Sequence, residues 1–205
     1  MKILVIGATG TIGSAVARAL RARGHEVLGA GATSGERRVD ISDPASIERL
    51  YESAGPLDAV VCAAGVARFG ALDDLTVEDF DVSARNKLLG QVELVRRGVG
   101  CVREGGSFTL TSGDLSTAPE RGTVAVVMTG AAVEAFARAA ALDLEGRYRV
   151  NVVSPGAVAE SLEAAGHDAT GAIRVRDVAA HYVRSVEGHE TGTVFDARAP
   201  ERSGN

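Results

Sequence analysis

Short apolar runs alternate along the chain with stretches whose apolar residues recur every three or four positions. "KILVI", Lys2–Ile6, lacks two-residue alternation and reads as a strand buried on both faces. Ile12, Ala15, Val16, Ala19 and Leu20 then mark one face of a helix that Gly24 can end. "EVLGA" and "RRVDI" read as strands two and three. Asp43 before Pro44 is an N-cap with proline at the first helical position, and the helix after it carries Ile47, Leu50 and Tyr51. "DAVVCAAG" is a fourth strand. Thr76 and Asp79 form a capping-box pattern that opens a long helix through Val95. "GSFTLTS" is a fifth strand, and a small-residue helix runs from about Thr123 to Leu144. "RVNVVSPG" is the sixth strand with its exit, Asp177 starts a late helix, and "GTVFDA" is a last strand.

Near-continuous apolar strands alternating with helices predict a parallel sheet covered on both faces. Right-handed crossovers limit this to doubly wound topologies. No linker or repeat divides the 205 residues, so residues 1–199 are expected to form one domain, with 200–205 a disordered polar tail. Hydrophobic residues at 45% and charged residues at 24% match a soluble globular protein. A net charge of −5 without a basic tract argues against a nucleic-acid partner.

The apolar run at the start is too short for a signal peptide. Thr123–Val133 is too short for a membrane span, and Glu134, Arg138 and Asp143 interrupt its continuation. A cytoplasmic protein with no membrane partner is expected. Cys62 and Cys101 show no disulfide framework. His25, His181 and His189 show no metal-ligand spacing, and no metal site is expected.

Gly7, Gly10 and Gly13 give G-x-x-G-x-x-G where strand one ends and helix one begins. That context points to a dinucleotide site, the alternative being a glycine-rich turn with no ligand. The first glycine permits the tight turn, the second lets backbone approach a pyrophosphate, and the third lets the helix pack closely. The helix N-terminus offers free N–H groups to the phosphates.

With "GATGTIG", "VDISD", "CAAG", "SPG" and, more weakly, "LTS" in this order, the chain resembles the short-chain dehydrogenase/reductase family from Lys2 to about Asp196. The resemblance implies a Rossmann-type α/β three-layer sandwich with a central parallel sheet of about seven strands. It implies hydride transfer between NAD(H) or NADP(H) and a small carbonyl or alcohol. It places Gly7, Thr9, Gly10, Thr11, Ile12 and Gly13 at the pyrophosphate, and Asp40 and Ile41 at the adenine. Ala63, Ala64 and Gly65 fall near the adenosine ribose, and Pro155, Gly156 and Val158 near the nicotinamide. Asp40 has an alternative as a solvated carboxylate at a strand end. The middle glycine stands one residue earlier than is usual in short members. Cys62-Ala63-Ala64-Gly65 replaces their Asn-Asn-Ala-Gly. No acid follows strand two until Glu36, so Thr33 and Ser34, with Arg37, can hold a 2′-phosphate, which favours NADP(H) over NAD(H). Arg37 and Arg38 read equally well as surface residues.

The family's chemistry uses a Ser, a Tyr and a Lys, helped by an Asn. Ser112 matches the Ser. Counting back from Gly130 puts Thr129 at the Lys position and Ala125 at the Tyr position, so both catalytic side chains are expected to be absent. Lys87 stands where the family has Asn, and Asn86 beside it takes that role if the helix shifts register. Lys87 is a candidate for the missing charge near Ser112, or a surface lysine. His167 is a further candidate acid. The resemblance also implies a homodimer or homotetramer through the fourth and fifth helices. In the fifth, Ala131, Ala132, Ala135, Ala139 and Ala140 offer a small-residue surface. Two functions stay open: an oxidoreductase with an atypical catalytic set, or a non-redox protein of the same fold, either a dinucleotide-binding sensor or scaffold or a hydride-independent enzyme.

Overall fold

A computed structural model describes residues 1–198; the expected domain end at Ala199 and the tail 200–205 lie outside the described residues. The strands are Lys2–Ile6 (β1), Glu26–Gly31 (β2), Arg37–Arg38 (β3), Leu57–Cys62 (β4), Val102–Thr111 (β5), Arg149–Ser154 (β6) and Val194–Asp196 (β7). The helices are Thr11–Ala22 (α1), Pro44–Ala54 (α2), Val77–Ser83 (α3), Gly90–Gly98 (α4), Val124–Asp143 (α5), Ala159–Ala164 (α6) and Val175–Glu187 (α7). A π-helical stretch, Ala84–Leu89, joins α3 to α4, and a 3-10 turn, Asp114–Ser116, follows β5.

All strands are parallel, in the order β3-β2-β1-β4-β5-β6-β7. This is the expected doubly wound α/β sandwich. Alternate residues of β1 face opposite layers. Ile3 and Val5 pack with Val16, Leu20, Val178 and Tyr182 of α1 and α7. Leu4 and Ile6 pack with Ile47, Leu50, Leu94 and Val133 of α2, α4 and α5. Each such fully buried aliphatic side chain contributes about 1.5–3 kcal/mol. Helix α5 is 20 residues long and, by length and composition alone, apolar enough to cross a membrane. Its Val133, Ala137 and Ala141 lie in the core against the sheet.

Local differences from the sequence reading have local causes. The third strand keeps only two residues, because the Asp40 N–H turns to the Ser46 hydroxyl at 3.0 Å. Helix α7 begins at Val175, before Asp177, because the Glu160 carboxylate accepts the Val175 N–H at 2.8 Å. The predicted long helix after Thr76 is present with its capping box, but it is interrupted by the π turn. Short α6 carries too few apolar positions to announce itself.

The register aligns Ile6 with Ala30 and Cys62, and Thr111 with Val153. The carboxyl ends of β1, β4, β5 and β6 therefore open on one edge. The chain winds from β1 toward β2 and β3, then returns to place β4 on the other side. A crevice forms at that reversal. Gly7, at φ +81°, turns the chain there. A Cβ on Gly13 would overlap the Gly7 carbonyl oxygen, whereas a Cβ on Gly10 would meet only that same oxygen, at 3.4 Å.

Two predictions follow from this packing. Gly13→Ala is expected to cost about 3 kcal/mol, because backbone must move. Gly10→Ala costs about 1 kcal/mol or less, the difference between N-cap preferences. Thermal unfolding of the two variants checks the contrast, and equal losses would contradict it. The second concerns the seam between α1 and α7. Arg23 Nε and Nη2 each donate to Glu187 at 2.6 Å, and His25 Nε2 stands 2.8 Å from the same carboxylate. The Arg23 hydrogen bond chiefly pulls the Glu187 carboxyl down from 4.5 to about 2. A depressed carboxyl stabilises the fold above its ordinary value and loses that contribution as pH falls through the folded one. Glu187→Gln should lower the melting temperature at neutral pH. The gap from wild type should shrink below pH 4.5 and close near pH 2. A gap independent of pH would contradict the assignment.

Candidate functional site

The crevice begins at the N-terminus of α1. Its N-cap, Gly10, brings no side-chain acceptor, so among the described residues no side chain caps the first-turn N–H groups of Thr11, Ile12 and Gly13. Around Gly10 a Cβ would meet only backbone, the Gly7 carbonyl oxygen at 3.4 Å. This arrangement accepts an anionic oxygen at the positive end of the helix. Thr9 lies beside it, with its Oγ1 accepting a 2.9 Å hydrogen bond from Ser34 Oγ.

Next to this loop lies a cleft of about 130 Å³. Ile6, Gly7, Gly31, Asp40, Ala64 and Asn86 are among its lining residues, together with Ile41 and Gly65. The sequence-expected adenosine contacts Asp40, Ile41, Ala64 and Gly65 are thus brought together, with Ala63 immediately adjoining. The Asp40 carboxylate is already engaged. It accepts the Ser42 N–H at 2.9 Å and the Ser42 hydroxyl at 2.6 Å. Asn86 Oδ1 accepts the Val66 N–H at 2.7 Å and so anchors the loop after β4. The π turn brings both Asn86 and Lys87 to this loop. A Cβ on Gly65 would lie 2.7 Å from Lys87 Cδ. Lys87 is half-buried, and loss of water around its ammonium pulls its pKa below the ordinary lysine value. Burial in turn pushes the neighbouring Cys62 thiol up to about 11.

The two arginines after β2 part company. Arg37 reaches Ser53 O at 3.4 Å, on the α2 side. Arg38 reaches Ala32 O at 3.4 Å, beside Thr33 and Ser34. Glu36 pairs with Arg21 of α1 at 3.2 Å. Arg38, rather than the expected Arg37, is therefore the cation at the tip of β2.

Ser112 leaves β5 with its N–H bonded to Val153 O. Its hydroxyl donates to Glu134 Oε1 at 2.8 Å, and Ser116 Oγ donates to the same oxygen at 2.6 Å. Glu134 belongs to α5 and is only 7% exposed. One turn earlier, a Cβ on Gly130 would lie 4.0 Å from Ser112 Cβ and 3.5 Å from Ser116 Cβ. The α5 face turned toward Ser112 is therefore Gly130–Glu134. Ala125 and Thr129 are fully buried, and the Thr129 hydroxyl bonds back to Ala125 O and Val126 O. Glu134 enters the sequence reading only as a charge that interrupts an apolar run. Its one signal is an acid placed i+4 from Gly130 in a helix of small residues.

The three tyrosines all lie elsewhere. Tyr51 donates to Leu94 O and Tyr148 to Val99 O, while the Tyr182 hydroxyl bonds Thr111 at 2.6 Å from the opposite face of the sheet. The chain has two lysines, and Lys2 is bonded to Ala54 O, far from the crevice. Beyond β6, Pro155 O accepts the Asp114 N–H at 3.0 Å. A Cβ on Gly156 would lie 3.3 Å from Asp114 Oδ2. The Val158 side chain is buried under α7, so only its backbone borders the exit from β6. His167 stands exposed after α6, its N–H bonded to Leu162 O.

A family model described as Enoyl-(Acyl carrier protein) reductase matches residues 7–195. Versicolorin reductase stcU of Emericella nidulans is 33% identical over 181 residues, which cover 76% of this chain and 68% of that protein. Among solved structures, the protein lin1944 from Listeria innocua superposes with a TM-score of 0.90 at 38% identity, covering 96% of this chain and 98% of that one. A small-chain dehydrogenase in complex with NADPH superposes at 0.84 with 30% identity, covering 96% and 95%. The parallel sheet, the glycine turn and these likenesses agree: the chain belongs to the short-chain dehydrogenase/reductase family of NAD(P)-dependent oxidoreductases.

Proposed function

We propose that the protein transfers hydride between NADP(H) and a small carbonyl or alcohol, with Ser112 at the reacting oxygen and no Tyr-Lys pair beside it. The observation that carries this reading is the α1 N-terminus whose N-cap, Gly10, brings no capping side chain, joined through Gly7 to the cleft at Asp40 and Ile41. The bound nicotinamide supplies the hydride chemistry. The chain's own residues bind and orient. The Thr11, Ile12 and Gly13 N–H groups hold the pyrophosphate, and the cleft takes the adenosine.

Arg38, Thr33 and Ser34 stand where a 2′-phosphate would lie, and Glu36, held by Arg21, does not compete for a ribose diol. That arrangement favours NADP(H), and a solved relative carries NADPH. Lys87 lies over Gly65 and supplies the positive charge that no lysine on α5 provides. Ser112 orients the substrate oxygen. The exposed apolar side chains Val66 and Phe69 offer an apolar surface to the substrate. A non-redox role as a dinucleotide-binding sensor draws on one observation, the absence of a tyrosine facing Ser112.

Calorimetry should find NADPH bound more tightly than NADH, with Arg38→Ala narrowing the difference. Lys87→Met and Gly10→Ala should each weaken NADPH while leaving a folded protein. NADPH oxidation with aldehydes, ketones and quinones then separates the two readings. Tight binding without turnover on any of them would favour the sensor. No binding of any pyridine nucleotide would end both.

We also read the protein as a cytoplasmic homodimer or homotetramer. On α5, Val124, Met128, Ala131, Ala135, Ala139 and Leu142 are exposed in one apolar series. Ala140 is buried toward the sheet and Ala132 is half-buried, so the available surface is narrower than the sequence implied. Light scattering should give at least twice the chain mass, and Ala135→Arg should reduce it to one chain. A wild-type protein that runs as a monomer would contradict this reading.

A further inference from the structure

We infer that Glu134 is the proton relay partner of Ser112, doing through a serine–carboxylate pair what an active-site tyrosine would otherwise do. This rests on the redox reading above. Three observations point to it. Glu134 is buried, yet among the described residues its hydrogen bonds bring no cation. Both of those bonds come from hydroxyls on the loop that leaves β5, where the reacting oxygen must sit. The α5 position facing Ser112 one turn away is a glycine, where a Cβ would already touch the Ser116 and Ser112 Cβ atoms at 3.5 and 4.0 Å, so helix and loop approach closely and Glu134 is the α5 side chain that meets the two hydroxyls.

The geometry drawn is the one for alcohol oxidation. The Ser112 proton already points at Glu134 Oε1, so the Ser112 oxygen lone pairs face away from the carboxylate. As a substrate alcohol gives its carbon-bound hydrogen as hydride to oxidised nicotinamide, its O–H bond breaks. That proton passes to Ser112 Oγ, and the Ser112 proton passes to Glu134 Oε1. The O–H electron pair becomes the second bond of the carbonyl. Carbonyl reduction runs through the same atoms in reverse: Glu134 gives the proton, Ser112 hands it on, and the oxygen keeps it. Ser116 is half-buried and bonded to the same Oε1, so it connects the carboxyl to solvent for recharging. Ser112 is the residue that touches substrate. Glu134 acts only through it.

Glutamine at position 134 separates relay from scaffolding. Its amide oxygen can still accept both serine hydrogen bonds, so the loop keeps its shape, but it cannot take a proton. With NADPH and the probes phenanthrenequinone and nitrobenzaldehyde, Glu134→Gln should lower kcat by about 10²–10⁴. KM and the NADPH dissociation constant should stay at wild-type values, and the solvent deuterium isotope effect on kcat should change. Glu134→Asp, which keeps an ionisable group on a shorter arm, should recover part of the rate. It also serves as the test variant if the glutamine protein does not fold. Without any turnover measurement, Ser112→Ala should move the Glu134 carboxyl carbon resonance, identified by its loss in Glu134→Gln. Wild-type kcat and isotope effect in Glu134→Gln, or a carboxyl resonance indifferent to Ser112→Ala, would overturn the relay alone. A wild-type protein that binds NADPH and reduces neither probe would overturn the relay together with the redox reading.

Discussion

The contact between α1 and the end of β1 holds the rest in place. Gly13 lies so close to the Gly7 carbonyl that no side chain fits between them. This pins the helix axis to the strand end and aims the first-turn N–H groups into the crevice. Ile6, continuing in register with Ala30 and Cys62, then fixes where the loops after β2 and β4 must lie. The cleft at Asp40, Ile41 and Gly65 is a consequence of that register.

Across the crevice the site is built differently. Ser112 is placed by the β5–β6 ladder and held by an acid from α5. Lys87 arrives from the π turn, whose altered register brings Asn86 and Lys87 to the same loop. Such turns are frequent where a helix must present unusual neighbours to a site. The two halves therefore differ in kind. One is a backbone cradle that side-chain chemistry hardly touches, and the other is a small set of polar side chains, of which Ser112 and Glu134 are buried.

Much of the fold was legible because it rests on short-range rules. β1, β2, β4 and α1 stand where apolar runs and glycines placed them. Asp43 and Thr76 cap the helices they were expected to cap, each through its own side chain. The glycine turn could be read because tight turning and close approach both require that one residue type. What resisted reading depends on partners distant in sequence. The start of α7 is set by Glu160, and the end of β3 by Ser46. Arg37 and Arg38 are neighbours with the same charge, and only the fold sends one toward α2 and the other toward Thr33 and Ser34.

By itself the sequence determined the layered sheet, the glycine turn and the absence of tyrosine or lysine at the start of α5, because composition and local spacing carry those features. Tertiary structure decided which α5 face meets Ser112. A helix presents a new face every residue, so counting along the chain put Thr129 at the lysine position, while packing sets Gly130 against Ser112 and turns the Thr129 hydroxyl back to its own helix. It also decided that Glu134, a lone acid in an apolar helix, lies against two serine hydroxyls. That pairing spans 22 and 18 residues of chain and depends on how α5 is seated on the sheet, which no local pattern records.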